Sequence, residues 1–396
     1  MARIDNLTNF LTDVADSIRS KTGKSETIAA EDFDTEIESI ETGGTLQSKS
    51  ITITENGTTS IIPDAGYDGL SDVSVTTDVS GGGETVYINN AAYLFYNNAR
   101  ANQASDLLQL LRNVTDTYQM CYSASQIRGN IDLSHGELNS LTNTSSYYQM
   151  FFSASGITSV KLSSTSTIPN NFYSMFTNCG ELLTVDLSGI TAQSTNTATS
   201  MFASCRKLTT IKLPANFFAD TNGSKYGSCF QNCNALETVN NGTFGNMVEI
   251  MPITYIPSNM FYYCQKLNFK TLSDSITYIQ TSAFLGCVGL IQFSANNIQY
   301  IEGGNFGNAA FRVCSNLKAV WLGSAFVGKS GHQYPFYGTK LTYLYINRPR
   351  VDVEQITGYS KGWKNDNPNV TIICNDDSGF MSKADFDAKD WSTYTP

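Results

Sequence analysis

Nine cysteines and two histidines are the residues of this 396-residue chain with the most chemistry to offer. Thiolates and imidazoles hold zinc when they cluster at spacings such as Cys-x-x-Cys, and no such pair occurs here. Cys229 and Cys233 stand four apart without a second pair or a nearby histidine. His135 and His332 are separated by about 200 residues, away from any recognisable nucleophile, and both read as loop residues. Asp132 and Asp186 recur in Ile-Asp-Leu and Val-Asp-Leu. Paired carboxylates that cleave glycosides stand roughly 5–10 Å apart, and these two are expected on the exposed face of strands two repeats apart. Asp-Thr-Asn-Gly-Ser at 220–224 hints at a calcium turn but lacks further carboxylates. Gly23-Lys24-Ser25 tempts a phosphate-loop reading, which needs a glycine where Ile18 stands. The expectation is no enzyme, no cofactor and no metal.

The cysteines instead mark a repeat. Ser-Met-Phe-Ala-Ser-Cys-Arg-Lys-Leu at 200–208 has copies beginning at Met175, Cys229, Met260, Ala283 and Ala310, with looser copies at Leu94, Met120, Met150 and Pro335. The anchors are Phe95, Cys121, Phe151, Phe176, Phe202, Phe230, Phe261, Phe284, Phe311 and Phe336, spaced by 23 to 31 residues. A period in that range defines a solenoid. Cys179, Cys205, Cys233, Cys264, Cys287 and Cys314 share one phase, three residues after the anchor, where Ala124, Ala154 and Thr339 also stand. Residues at one phase stack along the core, so these cysteines are expected as a buried ladder. Leu208, Ile211 and Leu213 then predict one short parallel strand per unit.

The hydrophobic fraction is 41% and the charged fraction 15%, below the roughly 25% of ordinary domains. Net charge is −10, and residues 1–44 hold ten acidic and four basic residues. Phosphate-neutralising contact with nucleic acid is therefore not expected. No stretch reaches the roughly 18 apolar residues of a spanning helix, and Met1–Ser20 lacks the apolar run of a signal peptide, so neither membrane insertion nor export is expected.

Residues 1–44 are read as a helical attachment segment. Leu7, Phe10, Leu11, Val14 and Ile18 form an apolar stripe expected to drive self-association, with a homotrimer as the state favoured. Residues 45–83 read as a small β module, with Ile51/Ile53, Ile61/Ile62 and Val73/Val75 around turns at Asn56-Gly57 and Pro63-Asp64, closed by the linker Gly81-Gly82-Gly83. Residues 84–350 are the solenoid and 351–396 its C-terminal cap, with Val370, Ile372 and Cys374 as an edge strand. Tyrosines crowd the rungs, among them Tyr147, Tyr148, Tyr262, Tyr263 and Tyr345. Tyr334, Tyr337, Tyr343, Tyr359 and Trp363 are the candidates for receptor contact. For Tyr359, Trp363 and Trp391 the readings are cap packing or an exposed binding surface, with cap packing favoured.

The segment 200–214 matches Phe-x-x-Cys-x-x-Leu-x-x-Ile-x-Leu-Pro, and residues 90–350 resemble the BspA-like leucine-rich repeats, found in bacterial surface adhesins and in phage proteins. The fold implied is a mostly β solenoid of short parallel strands. Residues 10–80, with the run Ile51-Thr-Ile-Thr-Glu-Asn-Gly-Thr, resemble the N-terminal segments of phage tail and baseplate proteins. That resemblance implies a virion protein, assembled in the host bacterial cytoplasm, which joins other virion proteins and displays its repeats to a host-surface glycan or protein. The alternatives are a head fibre or decoration protein, a polysaccharide-degrading tailspike and a bacterial surface adhesin.

Overall fold

The computed structural model describes residues 87–394, apart from 98–107, 169, 192–194, 216, 219, 238–246, 304–306, 329–333 and 357–366. It also describes two strands nearer the N terminus, β1 (Leu46–Ile53) and β2 (Gly69–Thr77). The expected helices of 1–44, with Leu7, Phe10, Leu11, Val14 and Ile18, lie outside the described residues, as do Gly81–Gly83. The strands β1 and β2 pair in parallel. Turn signals at Asn56-Gly57 suit a hairpin, but a parallel pair needs a crossover connection instead.

The chain divides into two compact units, 1–193 and 194–396, and the repeat recurs in both. In the first, β3 (Gly129–Leu133), β4 (Ile157–Ser164) and β5 (Thr184–Ile190) lie side by side in parallel. Ile131, Val160 and Val185 stand in register and are buried, and Leu133 pairs with Leu162 beneath them. In the second unit come β6 (Tyr255–Ile256), β7 (Tyr278–Ile279), β8 (Gln292–Ala295), β9 (Tyr300–Ile301), β10 (Ala319–Leu322), β11 (Tyr343–Ile346) and β12 (Thr371–Cys374). They form two parallel sheets, one of β6, β7 and β9 and one of β8, β10, β11 and β12. Val370 is buried just before β12, which is the end strand of its sheet.

Strands occupy a small part of each rung. Inter-rung hydrogen bonding also runs through the turn that carries the anchor. Anchor amides donate to the carbonyl just before the next anchor: Phe95 to Met120, Cys121 to Met150, Phe151 to Met175, Phe230 to Met260 and Phe284 to Ala310, at 2.7–2.9 Å. The amides two residues before and two after the anchor do the same, as Gln149 to Tyr173 (3.0 Å) and Ser153 to Thr177 (2.7 Å). Aiming alternate amides along one axis requires left-handed backbone at those flanking positions. Gln149, Ser153, Ser228, Asn232, Asn259 and Tyr263 all have φ between 50° and 59°. Such backbone costs a non-glycine residue roughly 1–2 kcal/mol, which the inter-rung bonds offset. In two rungs the second position after the anchor is glycine, Gly286 at φ 76° and Gly338 at φ 69°.

The anchor rings stack at 5.1–5.5 Å: Phe151 on Phe176 in the first unit, and Phe202, Phe230, Phe261, Phe284, Phe311 and Phe336 in turn in the second. The six ladder cysteines are fully buried, and all nine thiols are free. Each anchor carbonyl has two lone pairs. One takes the amide three residues on, as Cys264 N on Phe261 O (3.1 Å). The other takes the thiol of the next rung. Cys179 Sγ donates to Phe151 O, Cys233 to Phe202, Cys264 to Phe230, Cys287 to Phe261 and Cys314 to Phe284, all at 3.0–3.1 Å. The ladder is therefore a set of hydrogen-bond donors as well as a stripe of small side chains. Phe336 O accepts from the Thr339 hydroxyl of its own rung at 2.8 Å and from Asn367 Nδ2 at 3.2 Å.

The segment 380–394 crosses the outer face of the second sheet. Its short helix α1 (Lys383–Ala388) is capped by Ser382, whose hydroxyl accepts from Asp385 N. Trp391 and Phe386 are fully buried against Trp321 and Tyr345. Trp321 Nε1 donates to Met381 O, and Lys318 Nζ to Ser392 O. The segment thus seals a sheet face.

Burial pushes the Cys179 and Cys314 thiols up to about 12, against about 8.5 in an unfolded chain. Between those values the folded chain keeps protons that the unfolded chain releases, so their contribution is complete below about pH 8.5 and falls as pH rises towards 12. The urea midpoint should hold level up to about pH 8.5 and then decline. C179A and C314A each cost about 1–2 kcal/mol at pH 7 but should flatten that decline. A decline of equal slope in both variants would contradict the assignment.

Candidate binding surface

In the first unit the residues beside the inward-facing anchor turn outward. Residues one before the anchor, Met120, Met150 and Met175, are buried with it. Those three before and one after point to the surface, and here they are aromatic. Tyr118, Tyr148 and Tyr173 stack at 5.2 Å with interplanar angles of 5° and 10°. Tyr96, Tyr122 and Phe152 form a second column at 4.9 and 4.7 Å. Tyr93 joins the columns, edge-on to both Tyr96 and Tyr118. Gln119 Nε2 donates to Gln149 Oε1 at 2.5 Å, making a polar rung-to-rung contact beside the rings.

Ring faces in such a column cover one another, so the surface presents ring edges and hydroxyls. Among the described residues, the Tyr122, Tyr148 and Tyr173 hydroxyls have no hydrogen-bond partner, whereas Tyr118 is bonded to Tyr93. Burial and the neighbouring phenols raise Tyr118 and Tyr148 above the ordinary phenol range, so both remain donors at neutral pH. No charged side chain stands at the column positions or at the left-handed positions beside them.

A third column, Tyr255, Tyr278 and Tyr300 at 4.5 and 4.9 Å, lies on β6, β7 and β9 of the second unit. Tyr255 donates to Asn222 Oδ1, and burial with its neighbours, Glu302 among them, pushes Tyr278 up to about 12. The second unit also has an open depression of about 560 Å³ beside the Lys266–Glu237 ion pair and Gly289.

The candidates for receptor contact are dispersed. Tyr334 and Tyr337 are half-buried beside Phe336. Tyr343 is half-buried, its ring against Trp391 and Tyr394 and its hydroxyl against Tyr394 Oη at 3.3 Å. Tyr359 and Trp363 fall outside the described residues. Of the other rung tyrosines, Tyr147 is buried against Phe172, Tyr345 is buried beneath the C-terminal segment, and Tyr262 and Tyr263 pair at 4.8 Å. The columns are what sequence reasoning missed. The signal lay in the phase: Tyr118, Tyr148 and Tyr173 each precede an anchor by three, and Tyr-Ile recurs at 255, 278 and 300.

The residues with chemistry to offer do not converge. Lys161 stands in register between Asp132 and Asp186, and each carboxylate is held by the serine two residues on. Asp220 is bound by Lys225 at 2.6 Å, which lowers its pKa. His135 is exposed beside Glu137 at 3.6 Å, and His332 is outside the described residues. Among the described residues no cluster able to hold a metal forms, and no helix is long and apolar enough to cross a membrane. Gly358-Tyr-Ser360-Lys-Gly362 has nucleophile-elbow spacing, but that motif acts on a strand-to-helix turn of a hydrolase sheet. It too lies outside the described residues.

The BspA type leucine rich repeat region matches residues 128–237 and 228–360 in six copies. That is more than half of the chain, and the chain belongs to this family. Solved structures similar to it include the following two. A leucine rich cell surface protein from Faecalibacterium prausnitzii A2-165 is 16% identical, with 78% of this chain and 82% of that one covered and a TM-score of 0.31. A leucine-rich repeat protein from Bacteroides ovatus ATCC 8483 is 12% identical, with 64% and 77% covered and a TM-score of 0.22. No curated protein matches the chain.

Removing one ring tests the columns as structural units. Y148A loses stacking on both sides and should cost about 1–3 kcal/mol, while Y148F keeps the stack and should stay within about 0.5 kcal/mol of the parent. Equal urea midpoints for the two variants would show that the rings do not support one another.

Proposed function

We propose that the chain is a structural protein of a bacteriophage particle, tail-fibre or baseplate-associated, whose repeat domain binds a host-surface component during adsorption. The observation that carries the binding reading is the paired aromatic columns of the first unit. Stacking fixes their rings beforehand, so little side-chain freedom is lost when a ligand arrives. The particle reading draws on the resemblance of residues 10–80 to phage tail segments and on the apolar stripe of Leu7 to Ile18, which suits a homotrimeric attachment point. In this reading the chain acts by binding and has no enzymatic step.

The test uses the full chain, fluorescently labelled, on candidate host cells and related strains. Binding confined to a subset of strains, and reduced at least about tenfold in a folded Y122A/Y148A variant, is the expected result. Uniform absence of binding, or binding indifferent to the double substitution, would remove the columns from the account. Antibody labelling then separates a particle protein from a cell-surface adhesin by where it decorates.

A further inference from the structure

The columns repeat at 4.7–5.2 Å along three or four successive rungs. A ligand that uses several rungs at once must repeat its own hydrogen-bonding groups at nearly that interval. An extended peptide does not, since side chains on one of its faces recur every roughly 6.6–6.8 Å. It loses register within a few rungs. A single-stranded nucleic acid needs cations for its phosphates and open ring faces for its bases, and these columns supply neither. Stacking of a sugar ring on a tyrosine face is closed for the same reason, except at the ends of a column.

An extended β-1,4-linked pyranose chain fits what is left. It is flat and advances by nearly one rung per sugar, and because successive sugars are turned over, each edge offers ring hydroxyls from one sugar and the hydroxymethyl hydroxyl from the next, one polar group per rung. We propose that the first unit binds such a chain, neutral and laid along the columns, with roughly one sugar per rung. The Tyr122, Tyr148 and Tyr173 hydroxyls meet sugar hydroxyls, and the Gln119 and Gln149 amides lie beside them. Tyr173, 36% exposed, is the most open ring of its column. This assignment rests on the binding reading above and names its ligand class.

The experiment titrates the full chain calorimetrically with cello- and chito-oligosaccharides from disaccharide to hexasaccharide, with maltohexaose as the α-linked comparison. Affinity should rise about fivefold per added sugar, the effect of one net hydrogen bond, and level off near the tetrasaccharide. The α-linked chain, which curves away, should bind at least about tenfold more weakly. Y122F/Y148F preserves both stacks and should weaken the tetrasaccharide about tenfold. Affinity independent of length, equal affinity for maltohexaose, no loss in Y122F/Y148F, or no binding to any β-linked oligomer overturns the assignment. If cells are bound while every oligosaccharide fails, the ligand class falls and the binding reading stands. If the oligomers bind and no cell does, the site stands and the host-binding role falls.

Discussion

The constraint on which the structure depends is the peptide carbonyl of the anchor residue. Buried at the turn, it has two lone pairs to offer. Its own rung supplies one donor, the amide three residues later, and in five rungs the next rung supplies the other. A cysteine thiol does this while remaining small and apolar enough for the core. The recurrence of Cys179, Cys233, Cys264, Cys287 and Cys314 at one phase therefore reflects hydrogen-bond accounting as much as packing. Each such bond is worth about 0.5–1.5 kcal/mol, and where Ala154 holds the phase the Cys121 carbonyl accepts from Ala124 N without a thiol.

From that turn the consequences run outward. Three alternate amides bond to the next rung, which holds the left-handed backbone on either side of the anchor and fixes the rung spacing. With the spacing fixed, residues on the outer side of the turn stand in columns whether or not they attract each other. Aromatic residues at those positions in the first unit stack at van der Waals distance and become a rigid, uncharged, edge-presenting surface. In the second unit the outer face of the last sheet bears Trp321 and Tyr345, too apolar to leave in water, and the C-terminal segment with Trp391 covers it. One architecture thus yields an open aromatic face in one place and a sealed one in another. The difference is made by residues 380–394, which pack on the second face and supply its cover.

The solenoid is legible in the sequence because its anchor, cysteine and leucine phases repeat with few substitutions. Sequence also places Cys374 on a terminal strand and Trp391 in the cap. The turn bonding is not legible, since left-handed positions are filled by Ser, Asn, Gln, Tyr and even the β-branched Val313. The rung imposes that backbone on residues with no common preference for it. The surroundings of Tyr343 are not legible either, because nothing in its own rung shows that the distant segment around Trp391 packs on it. The columns escape a reading of tyrosines one at a time, because their meaning lies in equal phase across rungs.

Residue-resolved hydrogen exchange on the full chain bears most directly on the claim that the anchor turn holds the rungs together. The amides of Gln149, Phe151, Ser153, Phe230, Asn232, Phe261 and Tyr263 should be among the slowest to exchange and should do so only with global unfolding. If they exchange well ahead of strand amides such as Val160 and Val320, the turns are not the spine of the solenoid. The strands would then be what sets the register of the columns.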